Sequence, residues 1–272
     1  MLRKPCVILV WFFCFTAISA KAQLSVGPKV GVQAFQSFFS SSESKDLYKS
    51  KPHPGFTGGL AALVEVSDNF SLRFELAYAQ KGKKIEGRSD SQLKNVARYN
   101  HIELPILFTR RFIAKSSKGG YEWFLAIGPN TSYWLGGKGE LESSELTFEY
   151  AVQTLNYDID FNLDRPFGLS GDNVTNIKEP NRIQLGLNFG GGFIFKPNKT
   201  NTIVVDLRFE WGNTFIGKKD AVVEFPYVFF DYMDDIRATN SGVKLSIAYL
   251  FDLKLDQLKR GRSTNDNSKK RR

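Results

Sequence analysis

Hydrophobic residues recur at every second position in eight separate segments of this 272-residue chain. A β-strand places successive side chains on opposite faces, so a period of two predicts strands with one apolar face. The segments span 24–38, 55–66, 70–82, 98–112, 121–136, 181–196, 202–215 and 240–251. The connectors between them contain 16, 3, 15, 8, 44, 5 and 24 residues, so long and short connectors alternate. Such alternation is typical of an antiparallel barrel with short turns at one end and long loops at the other.

Side-chain volume indicates which face of each strand points outward. In segment 202–215, for example, one face carries Ile203, Val205, Leu207, Phe209 and Trp211, and the other Asp206, Arg208, Glu210 and Gly212. An eight-stranded barrel has a lumen that side chains fill, so the small and charged face should point inward and the bulky face toward lipid. We therefore predict an all-β fold, an eight-stranded antiparallel up-and-down transmembrane β-barrel with long extracellular loops.

Charged residues of both signs lie on the predicted inner face. We expect them to pair across the lumen and to plug it, which argues against a porin. The predicted network comprises Lys29, Arg73, Glu75, Glu103, Arg182, Asp206, Arg208, Glu210 and Lys244. Glu65 and Glu122 share this face. A soluble lipocalin-like carrier is the alternative fold, but it would need the opposite arrangement, an apolar lumen and a polar exterior.

Aromatic residues cluster toward the ends of the predicted strands. Amphipathic rings favour the two membrane–water interfaces, where they form girdles around a barrel. The predicted girdle residues are Tyr78, Tyr99, Tyr121, Trp123, Tyr133, Trp211 and Tyr249.

The first 22 residues have the three parts of a secretory signal peptide. Arg3 and Lys4 are basic, the run 7–18 is apolar, and 20–22 supplies small residues at a cleavage point. We therefore predict a signal peptide over 1–22 and a barrel over 23–251, placed in the outer membrane. Because the chain's two cysteines lie within 1–22, the mature protein would contain no thiol and no cysteine metal site.

The net charge of +9 resides mainly outside the predicted barrel. The segment 252–272 holds eight Lys or Arg against three Asp, and we predict a basic, disordered periplasmic tail there. The barrel itself is nearly neutral, so nucleic acid is not an expected partner. The expected partners are outer-membrane lipid, other envelope proteins and, through the aromatic strand end 249–251, the barrel-assembly machinery.

Three short stretches resemble a known family. They are Val26-Gly27-Pro28-Lys29-Val30-Gly31, His101-Ile102-Glu103-Leu104-Pro105-Ile106-Leu107 and Ala248-Tyr249-Leu250-Phe251. Together with the leader, they resemble the PorT-type outer membrane β-barrel proteins of the Bacteroidetes. The resemblance implies the same fold and location. It also suggests an accessory role in type IX-like protein secretion, although most relatives have no assigned activity.

The third long connector carries Asp158, Asp160, Asn162 and Asp164 at every second position. This spacing superficially matches the start of a calcium loop, but Leu163 and Leu169 stand where an EF-hand needs Gly and Glu. These aspartates are therefore only weak metal candidates. The preferred interpretation is a β-hairpin that pairs 145–150 with 154–163.

The last long connector is rich in aromatic residues. Two interpretations stay open, a docking surface for a partner and a cap folded over the mouth of the barrel. The candidate partner-binding residues are Phe225, Tyr227, Phe229, Phe230 and Tyr232.

Catalysis is not expected from this sequence. Lipid A-modifying enzymes on small barrels use a His with Ser and a carboxylate near the outer rim, and only His53 and His101 are available here. Neither lies in a spacing that matches a nucleophile arrangement. We therefore predict a non-enzymatic barrel with no cofactor, in a structural or partner-binding role, and keep a lipid A-modifying enzyme as an alternative.

Overall fold

The computed structural model describes residues 23–114, 121–163, 173–198, 200–227 and 232–253. The predicted signal peptide and all but the first two residues of the predicted tail lie outside these ranges. Among the described residues, no helix is both long and apolar enough to cross a membrane.

Twelve strands and two short helices make up the described structure. Eight strands are long: β1 (Gln23–Phe39), β3 (His53–Glu65), β4 (Phe70–Gly87), β5 (Lys94–Ala114), β6 (Tyr121–Glu142), β9 (Ile183–Phe195), β10 (Asn201–Gly212) and β12 (Ala238–Leu253). Four are short: β2 (Tyr48–Lys51), β7 (Leu155–Phe161), β8 (Val174–Pro180) and β11 (Gly217–Glu224). The helices are α1 (Ser42–Leu47) and α2 (Ser144–Tyr150).

The eight long strands form a ring. Their order is β6-β5-β4-β3-β1-β12-β10-β9, and β9 pairs in turn with β6. All of these pairings are antiparallel. Each predicted segment corresponds to one ring strand, so the predicted fold class is confirmed. We call the end with the short connections the turn end and the other the loop end.

Alternation along each strand separates an apolar outside from a polar inside. Leu207 is 55% exposed, whereas its neighbour Arg208 is 2% exposed. Small inward residues allow the ring to be this narrow: a Cβ at Gly27 would collide with the backbone oxygen of Tyr249, and one at Gly128 with that of Ile106.

Above the ring, the loop end carries a second wall. β7 pairs with the upper part of β6, β8 runs parallel to β7, and β11 pairs with β8. On the other side, β2 pairs with the end of β4. The long connectors therefore extend the barrel beyond the ring.

The predicted hairpin between 145–150 and 154–163 is wrong. Residues 144–150 form α2 because the Ser143 side chain caps it, accepting a hydrogen bond from the Leu146 backbone N–H at 3.1 Å. Ala151, with φ of 54°, ends the helix. β7 finds its partners in β6 and β8 instead.

Candidate functional site

The lumen is the part of the molecule where charged residues converge, and its central layer is built around Glu75. Glu75 accepts hydrogen bonds from Lys29 at 2.6 Å and from Arg208 at 3.0 Å. Arg208 also donates to Asp206 at 2.8 Å, and Asp206 accepts from Arg73 at 2.9 Å. All five side chains are at most 4% exposed. β1, β4 and β10 supply these residues, so the layer ties distant strands of the ring together.

A second layer of charge lies one step closer to the loop end. Lys81 contacts Glu210 at 2.6 Å and Glu103 at 2.9 Å. Lys244 contacts the same two carboxylates, each at 2.6 Å. The Phe35 ring lies near both ammonium groups, 5.2 Å from Lys81 and 5.4 Å from Lys244. These groups form an alternating square of charge in which each ion has two opposite neighbours.

Lys81 is a member of this network that the predicted set omits. The signal was present in the sequence, because Lys81 shares the inward face of β4 with Arg73 and Glu75. Its position near the end of the predicted segment 70–82 concealed how far β4 continues into the barrel; the strand runs to Gly87.

The structure does not bring Arg182 into the network. β9 begins at Ile183, so Arg182 precedes the strand, and its guanidinium lies 4.6 Å from the Tyr133 ring and 4.7 Å from the Phe161 ring. Its Nε donates to the Trp134 backbone oxygen at 3.1 Å. Placing Arg182 in the lumen was therefore wrong, because strand parity does not hold beyond the end of a strand.

Apolar residues close the lumen toward the turn end. The cluster comprises Ala61, Leu63, Leu107, Phe124, Ala126, Ile194, Val204, Ala248 and Leu250, all at most 5% exposed. Phe124 lies under the charge network, with its ring 5.0 Å from the Arg73 guanidinium carbon. Beyond this plug, Arg111 pairs with Glu65 at 2.6 Å, and Lys196 lies 3.6 Å from Glu122.

A larger apolar cluster fills the space enclosed by the second wall at the loop end. We call this cluster the cap. Its buried members include Phe39, Tyr48, Ile85, Tyr99, Trp134, Leu146, Tyr157, Ile177, Ile216, Phe225, Tyr232 and Ile236. Tyr99 was predicted as a girdle residue, but it is 2% exposed inside the cap. It faces inward because β5 continues above the ring with unchanged parity.

Polar contacts inside the cap join the last long connector to the wall. Lys83 forms an ion pair with Asp234 at 2.5 Å. Asn95 donates a hydrogen bond to the Tyr232 hydroxyl at 2.6 Å and accepts one from the Tyr157 hydroxyl at 2.7 Å. Burial raises the pKa of both phenols above their usual range, so each hydroxyl stays a protonated partner.

The aromatic residues of the last connector do not all lie where a docking surface requires. Phe225 and Tyr232 are each 5% exposed and pack in the cap, and Tyr227 is half-buried with its ring 4.8 Å from that of Tyr150. Phe225 and Tyr232 therefore do not form an exposed docking surface, because apolar rings gain more by covering the mouth of the barrel. Phe229 and Phe230 lie outside the described residues.

The weak metal candidates are not gathered into a site. Asp158 and Asp160 point outward from β7; Asp158 pairs with Lys138 at 3.1 Å, and Asp160 accepts from the Phe161 backbone N–H at 2.8 Å. Asp164 lies outside the described residues. Within the described ranges, no group of three or more metal-ligating side chains occurs.

The two histidines have different surroundings. His101 is fully buried, its ring is stacked on Trp134 at 6.2 Å, and its Nδ1 lies 3.2 Å from the Tyr99 backbone oxygen. His53 lies beside Arg98, with 3.4 Å between its Nε2 and the Arg98 Nε.

Residues 19–214 match the family described as "Outer membrane protein beta-barrel domain". The chain belongs to this family. The match covers most of the ring, from β1 to β10, and it agrees with the apolar exterior and polar lumen. This outer membrane barrel therefore crosses the membrane with its eight long strands.

Several solved outer-membrane structures are similar to this barrel. OprG from Pseudomonas aeruginosa is 10% identical with a TM-score of 0.45, and the match covers 85% of this chain and 95% of OprG. Ail of Yersinia pestis is 12% identical with a TM-score of 0.34, covering 85% and 100%. Neisserial surface protein A is 10% identical with a TM-score of 0.32, covering 84% and 98%. No curated protein matches the chain.

Proposed function

We propose that this outer membrane barrel is a closed, non-conducting protein with a structural or partner-binding role at its loop end. The observation that carries the proposal is the filling of the interior by three successive layers. An apolar plug lies at the turn end, paired charges lie in the middle and the aromatic cap lies at the loop end. A solute would have to displace all three layers to pass.

Conductance in planar lipid bilayers tests this proposal. The full mature barrel should insert without producing single-channel steps, while a porin inserted in parallel bilayers conducts. Stable, reproducible steps from the wild-type barrel would overturn the closed lumen.

The loop end offers the surface for a partner, because the second wall projects beyond the ring. Phe148 and Met233 are 79% and 80% exposed there, and Phe229 and Phe230 belong to the same connector as Met233. We expect replacement of Phe229 and Phe230 by Ser to reduce recovery of envelope proteins crosslinked in native membranes, with the barrel still folded. Loss of folding would assign both residues to the cap instead.

The non-enzymatic part of the proposal is supported by the surroundings of the histidines. His101 is enclosed by Trp134 and Tyr99 within the cap, where a lipid substrate has no access. His53 has a cation as its neighbour. Lipid A extracted from cells should keep the same acyl pattern when either histidine is replaced by Ala, and a changed pattern would favour the enzymatic alternative.

An accessory role in type IX-like secretion is a second candidate function. The resemblance of the opening, middle and closing stretches to PorT-type proteins supports it. Deleting the gene in its native host should reduce secretion of cargo proteins while leaving outer-membrane integrity unchanged. Normal secretion in the deletion strain would exclude this role.

A further inference from the structure

Along the described ring strands, a single positive charge interrupts the apolar exterior near the turn end. Arg110 points outward from β5 and is exposed. The other outward residues of this stretch of β5 are uncharged: Leu104, Ile106, Phe108 and Phe112. A charged side chain on the lipid face of a barrel is unfavourable unless an anion or water accompanies it.

Aromatic rings, not carboxylates, surround this guanidinium. Its central carbon lies 5.7 Å from the Phe70 ring and 5.2 Å from the Phe112 ring. Within the described part of the chain, no ion pair involves Arg110. The rings orient the cation by cation–π attraction and leave its donors for a partner outside the protein.

The position of Arg110 along the barrel corresponds to a membrane–water boundary. It lies opposite Phe70, where β4 begins. Two residues closer to the turn end, Phe112 stacks on Trp123 with ring centroids 4.1 Å apart. Stacked aromatics of this kind mark the interfacial girdle, so Arg110 lies at the level of lipid headgroups.

A shallow apolar groove of about 540 Å³ adjoins Arg110 on the outer face of the ring. It runs from the start of β4 over β5, β6 and β9 and is lined chiefly by Phe70, Phe108, Leu125, Ile127, Phe189 and the backbone of Gly190. Ile127 and Phe189 lie opposite each other on β6 and β9 and form the floor of the groove.

We propose that Arg110 and this groove form a binding site for one phospholipid, with the phosphate at Arg110 and an acyl chain in the groove. A guanidinium matches the geometry of a phosphate and binds it with two parallel hydrogen bonds. The short turns of outer-membrane barrels face the periplasm. The site therefore opens to the inner leaflet, which consists of phospholipid. Charge complementarity and the adjoining acyl-sized groove favour a lipid over a second copy of the chain.

Native mass spectrometry of the full mature barrel in detergent micelles tests the site. The probe is dioleoylphosphatidylglycerol, and dioleoylglycerol serves as the matched lipid without a phosphate. We expect one tightly held phosphatidylglycerol on the wild type and no retained dioleoylglycerol. Arg110→Gln should weaken the affinity about tenfold, the size of one charge-assisted contact.

Two further variants make the test specific. Arg98→Gln removes an outward arginine from the same strand at the loop end and should leave lipid binding unchanged. Ile127→Trp fills the groove while keeping the cation and should also weaken binding. Heat-modifiable migration on gels verifies that each variant is folded.

Equal retention by the wild type and Arg110→Gln would overturn the proposal. Weaker binding by Arg98→Gln would also overturn it, and so would unchanged binding by Ile127→Trp. In either case the contact would be a general attraction between charges. A dimer in place of a lipid adduct that disappears with Arg110→Gln would assign the surface to a second copy.

Discussion

Lys83 and Asp234 form an ion pair at 2.5 Å in which the side chains are 3% and 6% exposed. Lys83 belongs to β4, whereas Asp234 lies in the connector between β11 and β12. The pair therefore fastens the covering connector to the wall of the barrel. Nearby, Asp235 accepts a hydrogen bond from Ser44 at 2.6 Å, which adds a contact with α1.

Removing the ammonium group of this pair should open the cap. Lys83→Met leaves the buried Asp234 carboxylate unpaired, and breaking a buried pair in this way costs about 3–5 kcal/mol. We expect the amides of 232–237 to lose protection in hydrogen exchange, while those of the ring strands keep theirs. Lys94→Met is the control, because Lys94 pairs with Glu142 at 3.4 Å on the surface and such pairs contribute about 0–1 kcal/mol. Unchanged protection in Lys83→Met would show that the pair does not hold the connector.

The buried phenols of the cap should make its stability fall at high pH. Burial raises the folded-state pKa of Tyr157 and Tyr232 above the ordinary value near 10. Above that value the unfolded chain releases protons that the folded cap retains, so the stability present below it is lost as the pH rises. Phenolate absorbance should show a delayed component that Tyr157→Phe and Tyr232→Phe each reduce. Titration of all tyrosines together in the folded protein would contradict the burial.

The central charge layer should depend on Glu75. Glu75→Gln leaves Lys29 and Arg208 without their shared carboxylate. We expect the free energy of unfolding in lipid vesicles to fall by about 3–5 kcal/mol. Urea titration followed by tryptophan fluorescence measures the loss. Glu142→Gln, at an exposed pair, should shift the midpoint little. Similar midpoints for both variants would mean that the layer only fills space.

A charge placed on the outward face should destabilise the barrel by an amount that depends on its depth in the membrane. Ile247 lies beside Val30 and Val205 in the apolar band, so Ile247→Arg should destabilise the barrel by about 2–4 kcal/mol. Phe38→Arg, near the loop end of β1, should cost about 0–1 kcal/mol. Equal costs in vesicle unfolding experiments would place both positions in the same environment.

The inward or outward direction of a side chain could be predicted from the sequence wherever one face of a strand contacts lipid. A period of two located all eight ring strands, and parity placed Lys29, Glu75 and Lys244 on the inside because each lies within a regular strand. The same reasoning failed for Arg182, which precedes β9. Tyr99 shares the inward parity of His101 and Glu103, so its assignment to the girdle was wrong because that assignment followed aromatic content and not parity.

The connectors were not predictable in this way, because their partners are distant in sequence. α2 forms where a hairpin was expected, and β7 pairs with β6 and β8. Aromatic content alone did not separate a docking surface from a cap; burial of Phe225 and Tyr232 against β5 and β7 residues did.

The sequence by itself determined the number of ring strands, which face of each strand is apolar, and the sign of each inward charge. These features follow from the alternation of apolar and polar side chains along a strand whose one face contacts lipid. Only the tertiary structure decided which charges meet, as Lys244 and Lys81 do at Glu103 and Glu210, and how the cap closes. The physical reason is that ion pairs and packed rings depend on the register between strands far apart in the chain, and a pattern along one strand does not contain that register.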